Sequence, residues 1–78
     1  MKIFTLQEAE SSTDIDIRMI AVRSSKYRVF GSPKRIPEAE IAVADLRDGQ
    51  EPPDFSERFH ILDSHPMSKV LLVRKLAS

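Results

Sequence analysis

The clearest alternation of apolar and polar positions covers residues 14–22. Ile15, Ile17 and Met19 fall on one face of an extended chain and polar side chains largely occupy the other, the period typical of a half-buried strand. A turn with two serines follows, and residues 27–30 are again rich in strand-forming side chains. The pattern therefore predicts a β-hairpin in the first half of the chain.

Strands are also predicted near both ends of the chain. Residues 2–7 form a short apolar stretch, and residues 8–13 are polar enough for a loop. Residues 68–76 contain the apolar run Val70–Val73, which is typical of a strand inside a sheet.

A helix is predicted over residues 38–47. Pro37 suits the first helical turn, Glu38 suits its positive end, and a glycine two residues after the stretch is well placed as a cap. Ile41 and Val43 also alternate with alanines, so a strand is the alternative.

A second, short helix is predicted to begin at Asp54 or Ser56. Phe55, Phe59 and Leu62 would share one of its faces. The order of elements becomes β-β-β-α-α-β, and we predict an α+β fold. Its small, mainly antiparallel sheet has about four strands, with one or two helices on one face.

The length of 78 residues fits one domain, residues 1–78, with a thin core. The chain has no cysteine, which excludes disulfides, thiolate–zinc sites and cysteine-based catalysis. No stretch resembles a signal peptide or a transmembrane helix. We therefore expect a soluble cytoplasmic protein that does not enter membranes.

Charge is balanced overall but sorted along the chain. Residues 17–37 carry six basic side chains and no acid, and we call them the basic block. Residues 38–57, the acidic block, carry seven acids and one arginine. Residues 1–16 sum to −3 and residues 58–78 to +3. The two adjacent blocks either neutralise each other or face a partner.

In the hairpin hypothesis, Arg23, Lys26 and Arg28 crowd one face at the tip. Like charges placed opposite each other destabilise a hairpin, which suggests an anion nearby. It would be the acidic block, a partner's carboxylates or phosphates. The predicted partner-binding residues are these three together with Lys34 and Arg35.

Catalytic and cofactor motifs are weak. His60, Asp63 and His65 have a spacing that could hold a metal if the three converged. Asp14 and Asp16 would share a strand face, where a metal or a catalytic pair is conceivable. Surface positions are the simpler interpretation of both groups. With only two glycines, no phosphate-binding loop can be written, and we expect no cofactor, no metal and no enzyme.

The sequence favours a small protein-interaction module that docks on a protein partner through the basic hairpin and the acidic segment. An inhibitor, an adaptor or an accessory subunit would fit, and the size also suits a phage-type host-takeover protein by analogy alone. Self-association by pairing of the blocks is a variant. The alternative is a small nucleic-acid-binding or regulatory protein that uses the basic residues between 18 and 35.

Overall fold

A computed structural model describes residues 1–31 and 35–77 and shows an α+β domain built on a four-stranded antiparallel sheet. The predicted fold class is confirmed. The strands are β1 (Lys2–Thr5), β2 (Ile41–Asp45), β3 (Phe59–Ser64) and β4 (Val70–Lys75), in the spatial order β1-β2-β4-β3. The helices are α1 (Leu6–Glu10), α2 (Ile15–Arg23), α3 (Ser25–Arg28) and α4 (Phe55–Arg58), and Glu38–Glu40 form a 3-10 turn. The predicted order β-β-β-α-α-β is wrong; the observed order is β-α-α-α-β-α-β-β.

The predicted hairpin is a pair of helices, α2 and α3. Asp14 caps α2, because its side chain accepts hydrogen bonds from the backbone N–H groups of Asp16 and Ile17 at 3.0 and 3.4 Å. On a helix, Ile17 is buried and joins Ile20 in the core, whereas Met19 turns to solvent. The alternation arose because α2 is apolar on two opposite sides, so a helical pattern had the appearance of a strand.

Residues 41–45 form the strand β2, so the predicted helix over residues 38–47 is wrong and the alternative is correct. β2 lies between β1 and β4 and all five of its residues are buried. Two of them, Ala42 and Ala44, are small enough to lie beneath Phe55. Tertiary packing on both faces outweighs the helix propensity of the segment.

The predicted second helix is correct only in its first turn. α4 ends at Arg58, and Phe59 begins β3. The rings of Phe55 and Phe59 still pack together, with centroids 5.1 Å apart. Leu62 instead packs on the opposite face of the sheet, against the buried residues of α1 and α2. It lies at a bulge where the pairing of β3 with β4 shifts between Ile61 and Asp63.

The strands predicted at the two ends are confirmed, with shorter bounds. β1 stops at Thr5 because a helix begins there. The Thr5 hydroxyl accepts a hydrogen bond from the Glu8 N–H at 3.1 Å, and the Glu8 carboxylate accepts one from the Thr5 N–H at 2.8 Å. This reciprocal capping box converts the first part of the predicted loop into α1.

Each face of the sheet has its own apolar core. On one face α1 and α2 pack over β2 and β4 through the buried residues Leu6, Ala9, Ile17, Ile20, Ala21, Ile36, Ile41, Val43, Val70 and Leu72. On the other face Phe55 and Leu46 cover Ala42, Ala44 and Val73. α2 therefore uses its inner side for the fold, and its outer side is left to solvent. No helix in the described ranges is both long and apolar enough to span a membrane.

Candidate interaction surface

The outer side of α2 carries an apolar ridge formed by Ile15, Met19 and Val22. Their relative exposures are 54%, 44% and 66%. The spacing i, i+4, i+7 places them in one line along the helix. Because the three side chains adjoin along one line of the helix instead of being scattered, we take this ridge as the candidate interaction surface.

α3 extends this surface beyond the end of α2. Only Ser24 separates the two helices, and its backbone is itself helical with φ −61° and ψ −20°. The Tyr27 hydroxyl donates a hydrogen bond to the Leu62 carbonyl at 2.8 Å, which fixes α3 against β3. Val29 and Phe30 follow, both exposed, with Phe30 at 89%.

Basic side chains border the ridge. Arg18 is exposed, and the only hydrogen bond of its guanidinium among the described residues is a long one, 3.5 Å, to the Ser12 carbonyl. Arg23 lies 3.3 Å and Lys26 3.9 Å from the same carboxylate, that of Asp63. One acid therefore faces two cations here, and the border of the ridge keeps a positive charge.

Arg28 is turned away from this border. Its guanidinium lies 3.4 Å from Glu10 and 3.5 Å from Glu38, so both of its contacts are to acids of this chain. Arg35 is exposed, and Lys34 lies outside the described residues. The row of Arg23, Lys26 and Arg28 on a hairpin tip is therefore wrong: helical geometry separates Arg28 from the other two.

The basic and acidic blocks do not neutralise each other residue by residue. Among the described residues, one ion pair joins them, between Arg28 and Glu38. The other paired acids of the acidic block bind cations elsewhere: Asp48 binds Lys2, Asp54 binds Arg58, Glu40 binds Arg74 and Asp45 binds Arg47. The positive border of α2 is thus left without acidic neighbours from residues 38–57.

Arg47 gathers three carboxylates where α2 begins and β2 ends. Its guanidinium lies 2.6 Å from Asp14, 2.9 Å from Asp45 and 3.4 Å from Asp16. Hydrogen bonds from Arg47 hold the pKa values of Asp14 and Asp45 below their ordinary range, and these acids raise the pKa of Arg47. We call Arg47 with its three acids the Arg47 cluster. Asp14 and Asp16 thus both contact Arg47, and they lie at the start of a helix rather than on a strand face.

The two histidines are placed separately by β3. His60 lies opposite Arg74 in the ladder and is exposed. His65 follows the strand, where its Nε2 lies 3.4 Å from Asp16 and its Nδ1 accepts a hydrogen bond from the Met67 N–H. Asp63 contacts Arg23 and Lys26 instead of either histidine. Within the ranges that the structure describes, no three acidic or histidine side chains form a metal-binding group.

The exposed edge of the sheet at β3 is partly closed by side chains. Tyr27 occupies the Leu62 carbonyl at the bulge, and the Asp63 carboxylate accepts the Ser64 N–H at 2.8 Å. Bulges and occupied backbone groups are the means by which natural edge strands avoid pairing with other chains. Two backbone groups of β3 are therefore already engaged within this chain.

Sequence reasoning missed the ridge because it treated α2 as a strand, and it left Arg18 out of the predicted partner-binding residues although it counted Arg18 in the basic block. The available signals were the capping residue Asp14, an acid in the first turn and Arg23 in the last. A helical projection from Asp14 places Ile17 and Ile20 on the side away from the line of Ile15, Met19 and Val22, which reveals the ridge.

Comparisons with known proteins give no further guide to this surface. No family model, no curated protein and no solved structure matches the chain.

Proposed function

We propose that this chain is a small protein-interaction module that docks on a protein partner through the outer side of α2 and α3. Inhibitors, adaptors and accessory subunits all act in this way, by binding without chemistry. The observation that carries the proposal is the exposed apolar ridge with its positive border. Apolar centres with charged rims are the usual anatomy of a protein–protein interface.

The ridge favours a protein over nucleic acid. Phosphate binding needs basic side chains that reach the backbone of the nucleic acid, with aromatic side chains that stack on bases. Here the centre of the surface is formed by Met19 and Val22, whose side chains offer a phosphate neither a charge nor a hydrogen-bond donor. Arg28, a candidate for phosphate contact, is engaged by Glu10 and Glu38.

The basic side chains at the border of the ridge indicate the charge that we expect on the partner. Arg18 and Lys26 are exposed, and only Lys26 has an acid nearby, which it shares. Charge complementarity of this kind raises association rates and selects partners more than it raises affinity. We therefore expect an acidic partner.

A photo-crosslinking amino acid at position 22 tests the proposal in the organism that makes the protein. The matched control carries the same group at Ser56 on α4, which is exposed and belongs to the segment that covers the other sheet face. We expect position 22 to crosslink one predominant protein that position 56 does not. No protein adduct at position 22, or the same adducts from both positions, would contradict the proposal.

A parallel measurement addresses the nucleic-acid alternative. The purified protein is mixed with generic duplex DNA and with RNA at about 50 mM salt, where phosphate contacts are strong. We expect no binding. Salt-dependent binding that is lost when Arg18 and Lys26 are replaced by glutamine would contradict the proposal and identify nucleic acid as the partner.

A further inference from the structure

The spacing of the ridge specifies more than an apolar surface. Ile15, Met19 and Val22 are separated by four and then three residues, and Lys26 lies four residues further on. Alternating steps of four and three are those of the seam along which one helix packs lengthwise on another. Ile17 and Ser24 lie opposite the seam and are buried in this domain, so the seam is directed outward.

We propose that the partner presents an amphipathic helix whose apolar stripe packs along this seam and whose flanks carry carboxylates. The inference rests on the proposed function and deepens it by naming the element that docks. The seam from Ile15 to Val22 spans about 10 Å, or two helical turns. Side chains spaced by three and four residues form ridges that pack into the grooves between side chains of a second helix at a shallow crossing angle.

The flanking positions of the seam set the charge of the partner helix. Arg18 occupies one flank, and Asp16 and Arg23 occupy the other. Asp16 is engaged by Arg47 and His65, both at 3.4 Å. The cations near the seam are less fully paired. Arg18 forms no ion pair among the described residues, and Arg23 shares the Asp63 carboxylate with Lys26. Carboxylates on the partner complete both flanks.

A second copy of this chain is a poorer occupant of the seam. If two α2 helices pack in parallel, Arg18 of one faces Arg23 of the other across the flank. If they pack antiparallel about a twofold axis, the two copies of Arg18 lie near each other. The antiparallel arrangement also brings Asp16 of one copy near Arg23 of the other, but Asp16 is already engaged by Arg47 and His65. The like-charged arginines therefore select against self-pairing.

Two synthetic helical peptides of about three heptads test the inference. Both carry leucine and isoleucine along the seam; one has glutamate on both flanks and the other lysine. Fluorescence anisotropy at about 0.1 M salt measures binding to the full chain. We expect the acidic peptide to bind at least about tenfold more tightly than the basic one.

Charge-reversed variants supply the control. In Arg18→Glu/Lys26→Glu we expect the preference between the peptides to invert. Lys2→Glu/Lys75→Glu changes the net charge equally, on exposed residues of β1 and β4, and we expect it to keep the preference for the acidic peptide. Circular dichroism confirms that each variant is folded.

Three results would overturn the inference: neither peptide binds, both bind equally, or the two double variants behave alike. These results can be told apart from a failure of the proposed function. A specific protein crosslinked from position 22, together with peptides that do not bind, would leave the docking surface standing and remove the helix. Concentration-dependent dimerisation that is abolished by Met19→Asp would assign the seam to a second copy.

Discussion

The Arg47 cluster and the border of the ridge both place charged side chains beside α2, but they differ in how completely these charges are paired within the chain. At the start of α2, one guanidinium meets three carboxylates within 3.4 Å, and Asp45 is buried. Further along α2, Arg18 forms no ion pair among the described residues, and on α3 Lys26 is 3.9 Å from the Asp63 carboxylate, which it shares with Arg23. The first group is satisfied within the fold, and the second is left for another molecule.

This difference separates charges that hold the domain together from charges that are available for binding. A short, partly buried network contributes to stability because removing one member leaves the others desolvated and unpaired. Exposed pairs contribute little. Substitutions in the two regions should therefore affect different measurements.

The largest effect on stability is expected from Arg47→Ala. The variant leaves Asp45 buried without its main partner, and we expect the free energy of unfolding to fall by about 2 kcal/mol. Urea denaturation measures the change. Lys2→Ala is the control, because the Lys2–Asp48 pair is exposed and should contribute less than about 0.5 kcal/mol. Equal effects of the two substitutions would mean that the Arg47 cluster does not hold the fold.

The next effect is a pH dependence that belongs to the same cluster. Folding lowers the pKa of Asp14 and of Asp45 through Arg47. The stability they contribute is therefore fully present above the pKa of an unfolded aspartate, about 3.9, and is lost as the pH falls further. We expect the stability difference between the wild type and Arg47→Ala to shrink from pH 7 to pH 3 in urea titrations. A constant difference would contradict this assignment.

The successes and failures of the sequence predictions have a common physical origin. β4 was predictable because Val70–Val73 is apolar without interruption, and the first part of β1 because residues 2–4 are largely apolar. β2 was not, because its alanines are strong helix formers and only burial between two other strands makes the segment extended. Local preference decides the ends of this chain, and tertiary packing decides its middle.

The candidate surface failed at the sequence level for a different reason. A helix that is apolar on both its inner and outer sides mimics the period of a strand, so Met19 was grouped with Ile17. The sequence located the basic side chains of this surface, but it did not reveal which acids of the chain pair with them. Asp63 lies 40 residues from Arg23 and Glu10 lies 18 residues from Arg28, separations that no local pattern reveals.

The smallest effect on stability, and the most direct test of the account, comes from the ridge. The double variant Met19→Gln/Val22→Gln keeps helix propensity and replaces two apolar side chains that lie outside the buried core and are 44% and 66% exposed. We expect its free energy of unfolding to stay within about 0.5 kcal/mol of the wild type, while capture of the protein identified by crosslinking at position 22 is lost. A loss of more than about 2 kcal/mol with capture unchanged would place the ridge in the fold and contradict the account.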